Sequence, residues 1–284
     1  MEVKLAETAG FCMGVDMALK RLDKLVAEAC DRPIHILGPI IHNPQVLESY
    51  ALRGVTTVAT PAEVPDGACV VIRAHGVPRQ VEAELAARDV VIKDATCPRV
   101  KKAQLLIARH TADGSVLLLF GESDHPEVKG LVSYAEGDHF VFDAPAALDA
   151  YPFDPAKSYV LAAQTTQDRA QFDAMAERLE EDPVLSVTVL RTICDATRLR
   201  QQEAGALAGE VGFMIVVGGY NSGNTRRLAQ VVSERGTPCV HVETADELDL
   251  GQLAAYDRIG VTAGASTPHH LIHEVLCALE TLGD

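Results

Sequence analysis

The sequence of 284 residues has few of the features that mark membrane, secreted or nucleic-acid-binding proteins. No apolar run approaches the ~20 residues of a membrane span. The first residues, Met-Glu-Val-Lys-Leu-Ala-Glu, lack the basic and apolar segments of a signal peptide. The formal net charge is −15, and no run of Lys and Arg compensates for it. We therefore expect neither a membrane nor nucleic acid as a partner.

The seven cysteines do not predict a disulfide framework. Their number is odd, and no two of them form a Cys-x-x-Cys pair. We therefore expect a reducing, cytoplasmic location. Structural zinc is also disfavoured, because such sites need four ligands and commonly take two of them from a Cys-x-x-Cys hook.

Three of the cysteines, Cys12, Cys97 and Cys194, share one sequence context. Each follows a short β-type run and precedes a helical pattern, and the intervals between them are 85 and 97 residues. The unpaired amide groups at a helix N-terminus favour the thiolate form of a cysteine. Three such thiolates would hold a soft metal centre and leave one coordination position free.

The other four cysteines have no such context, and we predict that they pack in the core. Cys30 and Cys277 lie late in helical patterns, whereas Cys69 and Cys239 lie in predicted strands.

The chain repeats as three α/β units. In each unit, two further apolar runs end in a small polar loop; the six loops are residues 41–44, 74–76, 124–127, 164–166, 221–224 and 262–266. Most of the runs are apolar on both faces, as parallel strands covered by helices are. We place the domains at residues 13–97, 98–192 and 193–284. The first strand, within residues 1–12, can pair with either terminal unit, and we favour the third.

Ligands bind at the carboxyl ends of parallel strands, where all of these loops are predicted to lie. His42, His75 and His125 occupy corresponding loops and predict donors for an anion. Hydroxyl and amide donors are added by Ser222, Asn224 and Ser266, on loops that lead into helices whose backbone N–H groups favour phosphate. The loop carboxylate expected to deliver protons is Glu127, two residues after His125.

A group of histidines near the C-terminus imitates a metal site. His269, His270 and His273 precede Glu274, and two of them are spaced i, i+4. The segment contains no His-Glu-x-x-His motif and no further ligand set, so we interpret it as a partly exposed helix N-terminus.

The ordered motifs resemble the IspH/LytB family, the 4-hydroxy-3-methylbut-2-enyl diphosphate reductases of the non-mevalonate isoprenoid pathway. The matching segments span nearly the whole chain: residues 10–15, 42–43, 74–77, 94–98, 125–128, 164–166, 193–194, 221–224 and 262–266. One departure is Gly223, where some family members carry a second serine, so only a backbone N–H is available there. Residues 195–198, after Cys194, are also less typical of the family.

The resemblance implies a fold and a cofactor. The fold is a trefoil of three pseudo-threefold-related α/β domains, with small, mostly parallel sheets around a central iron–sulfur site. The cofactor is one 4Fe–4S cluster held by Cys12, Cys97 and Cys194, with the fourth iron open to the substrate.

The resemblance also implies a reaction, in which two electrons and two protons remove the hydroxyl of the substrate to give isopentenyl and dimethylallyl diphosphates. Thr165 and Glu127 would orient the hydroxyl and relay protons, with His125 beside them. The prenyl diphosphate substrate would be bound by His42, His75, His125, Thr165, Ser222, Gly223, Asn224 and Ser266. Electrons would arrive singly from a ferredoxin or a flavodoxin.

Two other classes of protein remain open from the residues. A hydro-lyase also uses an open-iron cluster but needs no electron donor, whereas an iron–sulfur sensor needs no diphosphate pocket. Because the chain is acidic, a reductase would need a local cationic face to dock an acidic electron carrier. The sequence predicts that face at Arg99, Lys101, Lys102, Arg198 and Arg200.

Overall fold

The computed structural model describes residues 1–28 and 32–282. Its strands are β1 (Glu2–Leu5), β2 (Ile34–Leu37), β3 (Val55–Val58), β4 (Cys69–Ile72), β5 (Val91–Asp94), β6 (Val116–Phe120), β7 (His139–Phe142), β8 (Ser158–Ala163), β9 (Ser186–Val189), β10 (Phe213–Val217), β11 (Cys239–Val242) and β12 (Arg258–Ala263).

The helices of the same residues are α1 (Met13–Ala27), α2 (Pro44–Ala51), α3 (Arg79–Ala86), α4 (Pro98–His110), α5 (Pro126–Val132), α6 (Pro145–Asp149), α7 (Arg169–Glu180), α8 (Asp195–Ala208), α9 (Gly223–Glu234), α10 (Leu250–Leu253) and α11 (His269–Glu280). Short 3₁₀ helices form at Pro61–Glu63 and Ala245–Glu247. Every helix in the described residues is too short or too polar to cross a membrane.

The strands form three four-stranded sheets with one common order. The orders are β3-β2-β4-β5, β7-β6-β8-β9 and β11-β10-β12-β1, and every described pairing is parallel. The predicted α/β class with small parallel sheets is therefore confirmed. Strand β1 pairs with β12, in the sheet built from the C-terminal part of the chain.

The two inner strands of each sheet are apolar because helices cover both of their faces. In β6, Leu118 and Phe120 pack into one buried cluster, while Leu117 and Leu119 pack into another on the opposite face. This alternation has the period of two that a strand imposes. The uninterrupted apolar run of β6 therefore contributes side chains to two buried clusters, one on each face of the sheet.

The described chain packs as two compact units. Unit 1 contains Met1–Asp16, Ile41–Ser49 and the residues from Asp195 onward, and it includes the sheet β11-β10-β12-β1. Unit 2 contains Met17–Ile40 and Tyr50–Cys194, and it includes the other two sheets. The three-domain boundaries at residues 97/98 and 192/193 stay a prediction.

Candidate active site

The three cysteines with a shared context occupy equivalent positions in the fold. Each directly precedes a helix, since α1, α4 and α8 begin at Met13, Pro98 and Asp195. In each case the cysteine N–H donates to a carbonyl of the loop that follows the neighbouring strand. The pairs are Cys12 to Ala265 (3.1 Å), Cys97 to Ala74 (2.9 Å) and Cys194 to Thr165 (3.0 Å).

The chemistry of these three thiols fits a soft metal centre. All three are half-buried, so none is sealed in the core, and none of them forms a disulfide. The N–H group of each cysteine donates the hydrogen bond described above, which fixes the backbone at that position. The thiol side chains remain as the reactive groups. Thiolates are the ligands that iron–sulfur clusters take.

The remaining cysteines follow the prediction only in part. Cys69 is fully buried in β4, which confirms core packing there. Cys239 is half-buried in β11, and burial raises the pKa of its thiol. Cys277 is exposed on α11, with its sulfur 3.4 Å from His273 Nδ1, so the core prediction is wrong for this residue. Cys30 lies outside the described residues.

Unit 2 contains a buried carboxylate beside a threonine. The side chain of Glu127, in the first turn of α5, is only 2% exposed. Its two oxygens accept from Thr165, one from the backbone N–H at 2.6 Å and the other from the hydroxyl at 2.9 Å. Since the carbonyl of Thr165 also accepts from Cys194, a chain of hydrogen bonds joins the carboxylate to the backbone of a cysteine.

Burial dominates the protonation of this carboxylate. Desolvation raises the pKa of Glu127 to about 7, although the two hydrogen bonds from Thr165 act in the opposite direction. A carboxyl group with a pKa near neutrality can both give and take a proton, which is the property required of a general acid.

His125 is held in one orientation by the helix that it caps. Its Nδ1 accepts from the N–H of Glu127 at 3.2 Å, so the ring proton is on Nε2 and can be donated elsewhere. The ring of His75 lies edge-on to it, with the centroids 5.4 Å apart. Unit 2 therefore brings together four of the predicted site residues: His75, His125, Glu127 and Thr165.

Unit 1 brings together the serines of two different loops. Ser222 caps α9 by accepting from the N–H of Thr225 at 3.3 Å. The hydroxyl of Ser266 lies 3.4 Å from that of Ser222 and 3.3 Å from the carbonyl of His42. Three of the predicted anion-binding residues are thus neighbours within this unit.

The N-terminus of α9 adds donors to the serines. Gly223 is its first residue, and the following Asn224 is only 4% exposed. Among the described residues, Asn224 Nδ2 has no hydrogen-bond partner. A buried amide without a partner costs free energy, so its retention favours a role in ligand binding.

Gly264, directly after β12, lies so close to α9 that this position requires a glycine. A Cβ atom on Gly264 would lie only 2.0 Å from Thr225 Oγ1, so no larger residue fits there. Thr262 and Ala263, which the sequence assigned to the loop, form the end of β12 instead. The loop that carries Ser266 is correspondingly shorter.

Sequence reasoning missed two residues of α8 that hold the Cys12 loop. Arg200 donates through Nη2 to the carbonyl of Gly10 at 2.6 Å. The carboxylate of Glu203 accepts from the N–H groups of Glu7 and Thr8 and from the Thr8 hydroxyl. Burial alone would raise the pKa of Glu203, but these hydrogen bonds and the Arg200 charge lower it below its ordinary value. Gly10 has a φ of 101°, which only glycine adopts readily.

The structure shows which of the residues predicted to lie on the surface are exposed. His269, His270 and His273 are exposed at the start of α11, as expected for a partly exposed helix N-terminus. The predicted docking face was partly wrong, because Arg200 is 4% exposed and bound to the Cys12 loop. Lys101 is ion-paired to Glu82 at 2.9 Å and to Asp94 at 3.6 Å.

Comparison with known proteins decides the family. The model of the LytB protein family matches residues 3–280. The chain belongs to the LytB family. A 4-hydroxy-3-methylbut-2-enyl diphosphate reductase of Solidesulfovibrio magneticus is 54% identical over 285 residues, which is 99% of this chain and 100% of that protein.

Two solved structures resemble this LytB protein. The E-1-hydroxy-2-methyl-but-2-enyl-4-diphosphate reductase of Plasmodium falciparum is 25% identical with a TM-score of 0.91, and the match covers 100% of this chain and 88% of that one. An (E)-4-hydroxy-3-methyl-but-2-enyl diphosphate reductase, described as the terminal enzyme of the non-mevalonate pathway, is 36% identical. Its TM-score is 0.69, and the match covers 99% of this chain and 100% of that one.

Proposed function

We infer that this LytB protein is a 4-hydroxy-3-methylbut-2-enyl diphosphate reductase, the last enzyme of the non-mevalonate isoprenoid pathway. It removes the hydroxyl group of its substrate and gives isopentenyl and dimethylallyl diphosphates. Two electrons and two protons are consumed for each substrate, and the hydroxyl leaves as water. The observation that carries this function to the residues is the buried pair of Glu127 and Thr165, which supplies a proton donor with a pKa near neutrality.

The proton chemistry is assigned to unit 2. We propose that the hydroxyl of Thr165 orients the substrate hydroxyl and that Glu127 relays protons to it. Protonation makes the departing group water, which leaves far more readily than hydroxide. His125 supports this step because its Nδ1 already accepts from the N–H of Glu127, which leaves Nε2–H as a fixed donor.

The diphosphate is assigned to the hydrogen-bond donors of the loops. In unit 1 these are Ser222, Asn224, Ser266 and His42, together with the backbone N–H of Gly223. In unit 2 they are His75 and His125, with Thr165 beside them. Hydroxyl groups, amide groups and the N–H groups of a helix N-terminus bind an anion through hydrogen bonds. They carry no charge of their own, so such a site is compatible with a chain whose net charge is −15. Binding energy from this remote group positions the reacting end of the substrate.

We propose that Cys12, Cys97 and Cys194 hold one 4Fe–4S cluster, whose fourth iron has no protein ligand. Three observations support this: the thiols are not in disulfides, they are half-buried, and they directly precede equivalent helices. When bound, the cluster supplies electrons and a Lewis acid for the departing oxygen. We further propose a cytoplasmic location and a ferredoxin or flavodoxin as the electron donor.

Turnover under anaerobic conditions tests the proposed function. The purified protein, reconstituted with iron and sulfide, should convert the hydroxylated diphosphate to the two products only when a reductant is added. Conversion without any reductant would identify a hydro-lyase instead. Loss of cluster spectra on redox cycling, without any binding of the diphosphate, would identify an iron–sulfur sensor.

A further inference from the structure

A surface groove of about 580 Å³ runs along α4 in unit 2. We call it the α4 groove; its lining is Arg21, Asp94, Thr96, Pro98, Lys101, Lys102, Leu105, Leu106 and Arg109. Four of these residues are cationic and one is anionic, although the whole chain carries a net charge of −15. The groove is therefore a local positive region on an acidic protein.

The exposed face of α4 forms the floor of the groove. Val100, Ala103 and Ile107 face the core, and Lys102, Leu105 and Arg109 follow one another at spacings of three and four on the solvent side. Leu105 is 61% exposed, which is unusual for a large apolar residue outside an interface. An apolar residue between two cations is the composition of a small docking surface.

The charges of the groove are only partly compensated. Lys101 is neutralised by Glu82 and Asp94. Lys102 and Arg109 are exposed and have no carboxylate at ion-pair distance among the described residues. The guanidinium of Arg21 donates to the backbone carbonyl of Asp94, which leaves its charge available.

The groove adjoins one proposed cluster ligand. Its lining includes Thr96 and Pro98, the two residues that flank Cys97 in the chain. From Pro98 to Arg109 the helix rises ~16 Å, so the cations extend outward from that cysteine over a length suited to a small protein partner. A partner seated in the groove is therefore next to Cys97, a proposed ligand of the centre that would receive the electron.

We propose that the α4 groove docks the small acidic protein that carries electrons to this enzyme, an inference that rests on the proposed function. Each docking event oxidises the carrier by one electron, which passes to the centre held by the cysteines. Two events supply the two electrons for one substrate, and the two protons come from solvent through Glu127. Lys102, Arg109 and Arg21 provide the charge complementarity, while Leu105 provides an apolar contact.

Charge reversal in the groove tests the proposal. In the double variant Lys102→Glu/Arg109→Glu, kcat/KM with a reduced ferredoxin or flavodoxin should fall at least ~10-fold at low ionic strength. The difference should disappear near ~1 M salt, where charges are screened within about 3 Å. Turnover with dithionite should stay within about twofold of the wild-type value. A second readout is titration calorimetry with the oxidised carrier, which should show a correspondingly higher Kd.

The control reverses two other exposed cations of the same unit, which are ion-paired outside the groove. Lys157→Glu/Arg178→Glu makes the same change in net charge outside the groove, and it should bind and use the carrier like the wild type. Leu105→Gln should weaken carrier binding at both low and high salt, because it removes an apolar contact without changing charge.

Several results would overturn the docking site. These are unchanged carrier binding in the groove variant, an equal loss in the control variant, or an equal loss of turnover with dithionite. Loss of binding to anionic phospholipid vesicles, with the carrier unaffected, would assign the groove to a lipid surface instead. If the wild type fails to turn over with dithionite, the proposed function fails, while the calorimetric comparison still tests the groove.

Discussion

Replacement of Glu127 by glutamine tests proton delivery separately from the fold and from cluster binding. The amide has almost the same shape as the carboxylate. Its oxygen can still accept from the Thr165 N–H, now 2.6 Å away, and its NH₂ group can donate to the Thr165 hydroxyl, which rotates to accept. The fold and cluster binding should therefore survive. We expect turnover to fall at least ~100-fold, the usual scale for loss of a general acid.

The pKa of Glu127 makes a second, independent readout available. Because burial raises that pKa from 4.5 to about 7, the folded protein keeps a proton that the unfolded chain has already lost between these values. The contribution of this group to stability is therefore present below pH 4.5 and is lost as the pH rises to about 7. A shift of that size corresponds to about 3 kcal/mol.

Glutamine does not titrate, so the variant escapes this pH-dependent loss. Denaturant unfolding at pH 4.5 and pH 8 should show the variant gaining up to about 3 kcal/mol relative to the wild type over that interval. In the wild type, turnover should fall as the pH rises above about 7, because the protonated carboxyl is depleted. Asp124→Asn, at a fully exposed carboxylate of the same loop, is the control and should change neither quantity.

Two results would contradict this role of Glu127. Near-normal turnover in Glu127→Gln would mean that protons come from another group. A stability difference that stays constant with pH would mean that Glu127 ionises in the folded protein with an ordinary pKa.

Three further predictions follow from the same contacts. Cys97→Ser should lose bound iron under anaerobic analysis, whereas Cys69→Ser should keep it; full iron in the first variant would remove Cys97 from the ligand set. Arg200→Met should lower the free energy of unfolding by about 2 kcal/mol and reduce iron loading, because the Gly10 carbonyl loses a charged donor. The control is Arg198→Met, at a partly exposed neighbour. If denaturant titration showed that both variants are equally stable, this prediction would be wrong. Asn224→Ala should raise KM about 10-fold with kcat and melting temperature nearly unchanged, since its Nδ2 has no hydrogen-bond partner within residues 1–28 and 32–282; a large loss of stability would make it a structural residue.

The sequence predicted the inner strands well because their signal is local. The five-residue apolar runs of β6 and β10 need cover on both faces, and only a buried strand with helices on each side provides it. The edge strands β3 and β7 were not predicted. In β3, Val55 and Val58 are buried but the two threonines between them are exposed, so neither an apolar run nor a strict alternation is present. Pairing with β2, rather than the pattern of β3 itself, fixes this strand.

Predictions of local position succeeded where neighbouring residues determine the structure. Cys12, Cys97 and Cys194 precede helices, as their shared strand–Cys–helix context predicted, while their role as cluster ligands stays a prediction. Exposure is a different property. Cys277 was assigned to the core because it lies late in a helical pattern and lacks the context of the other three cysteines, but its position on α11 turns the thiol outward.

The sequence by itself determined the α/β class, the threefold repeat of strand, loop and helix, and the residue types available at each strand end. Only the tertiary structure decided which charges are buried or paired. Glu127 acquires its raised pKa from burial beside Thr165, 38 residues away, whose hydrogen bonds oppose the shift, and Arg200 is buried against Gly10, 190 residues away. Desolvation and ion pairing depend on the atoms within a few ångströms of a group, and those atoms come from distant parts of the chain.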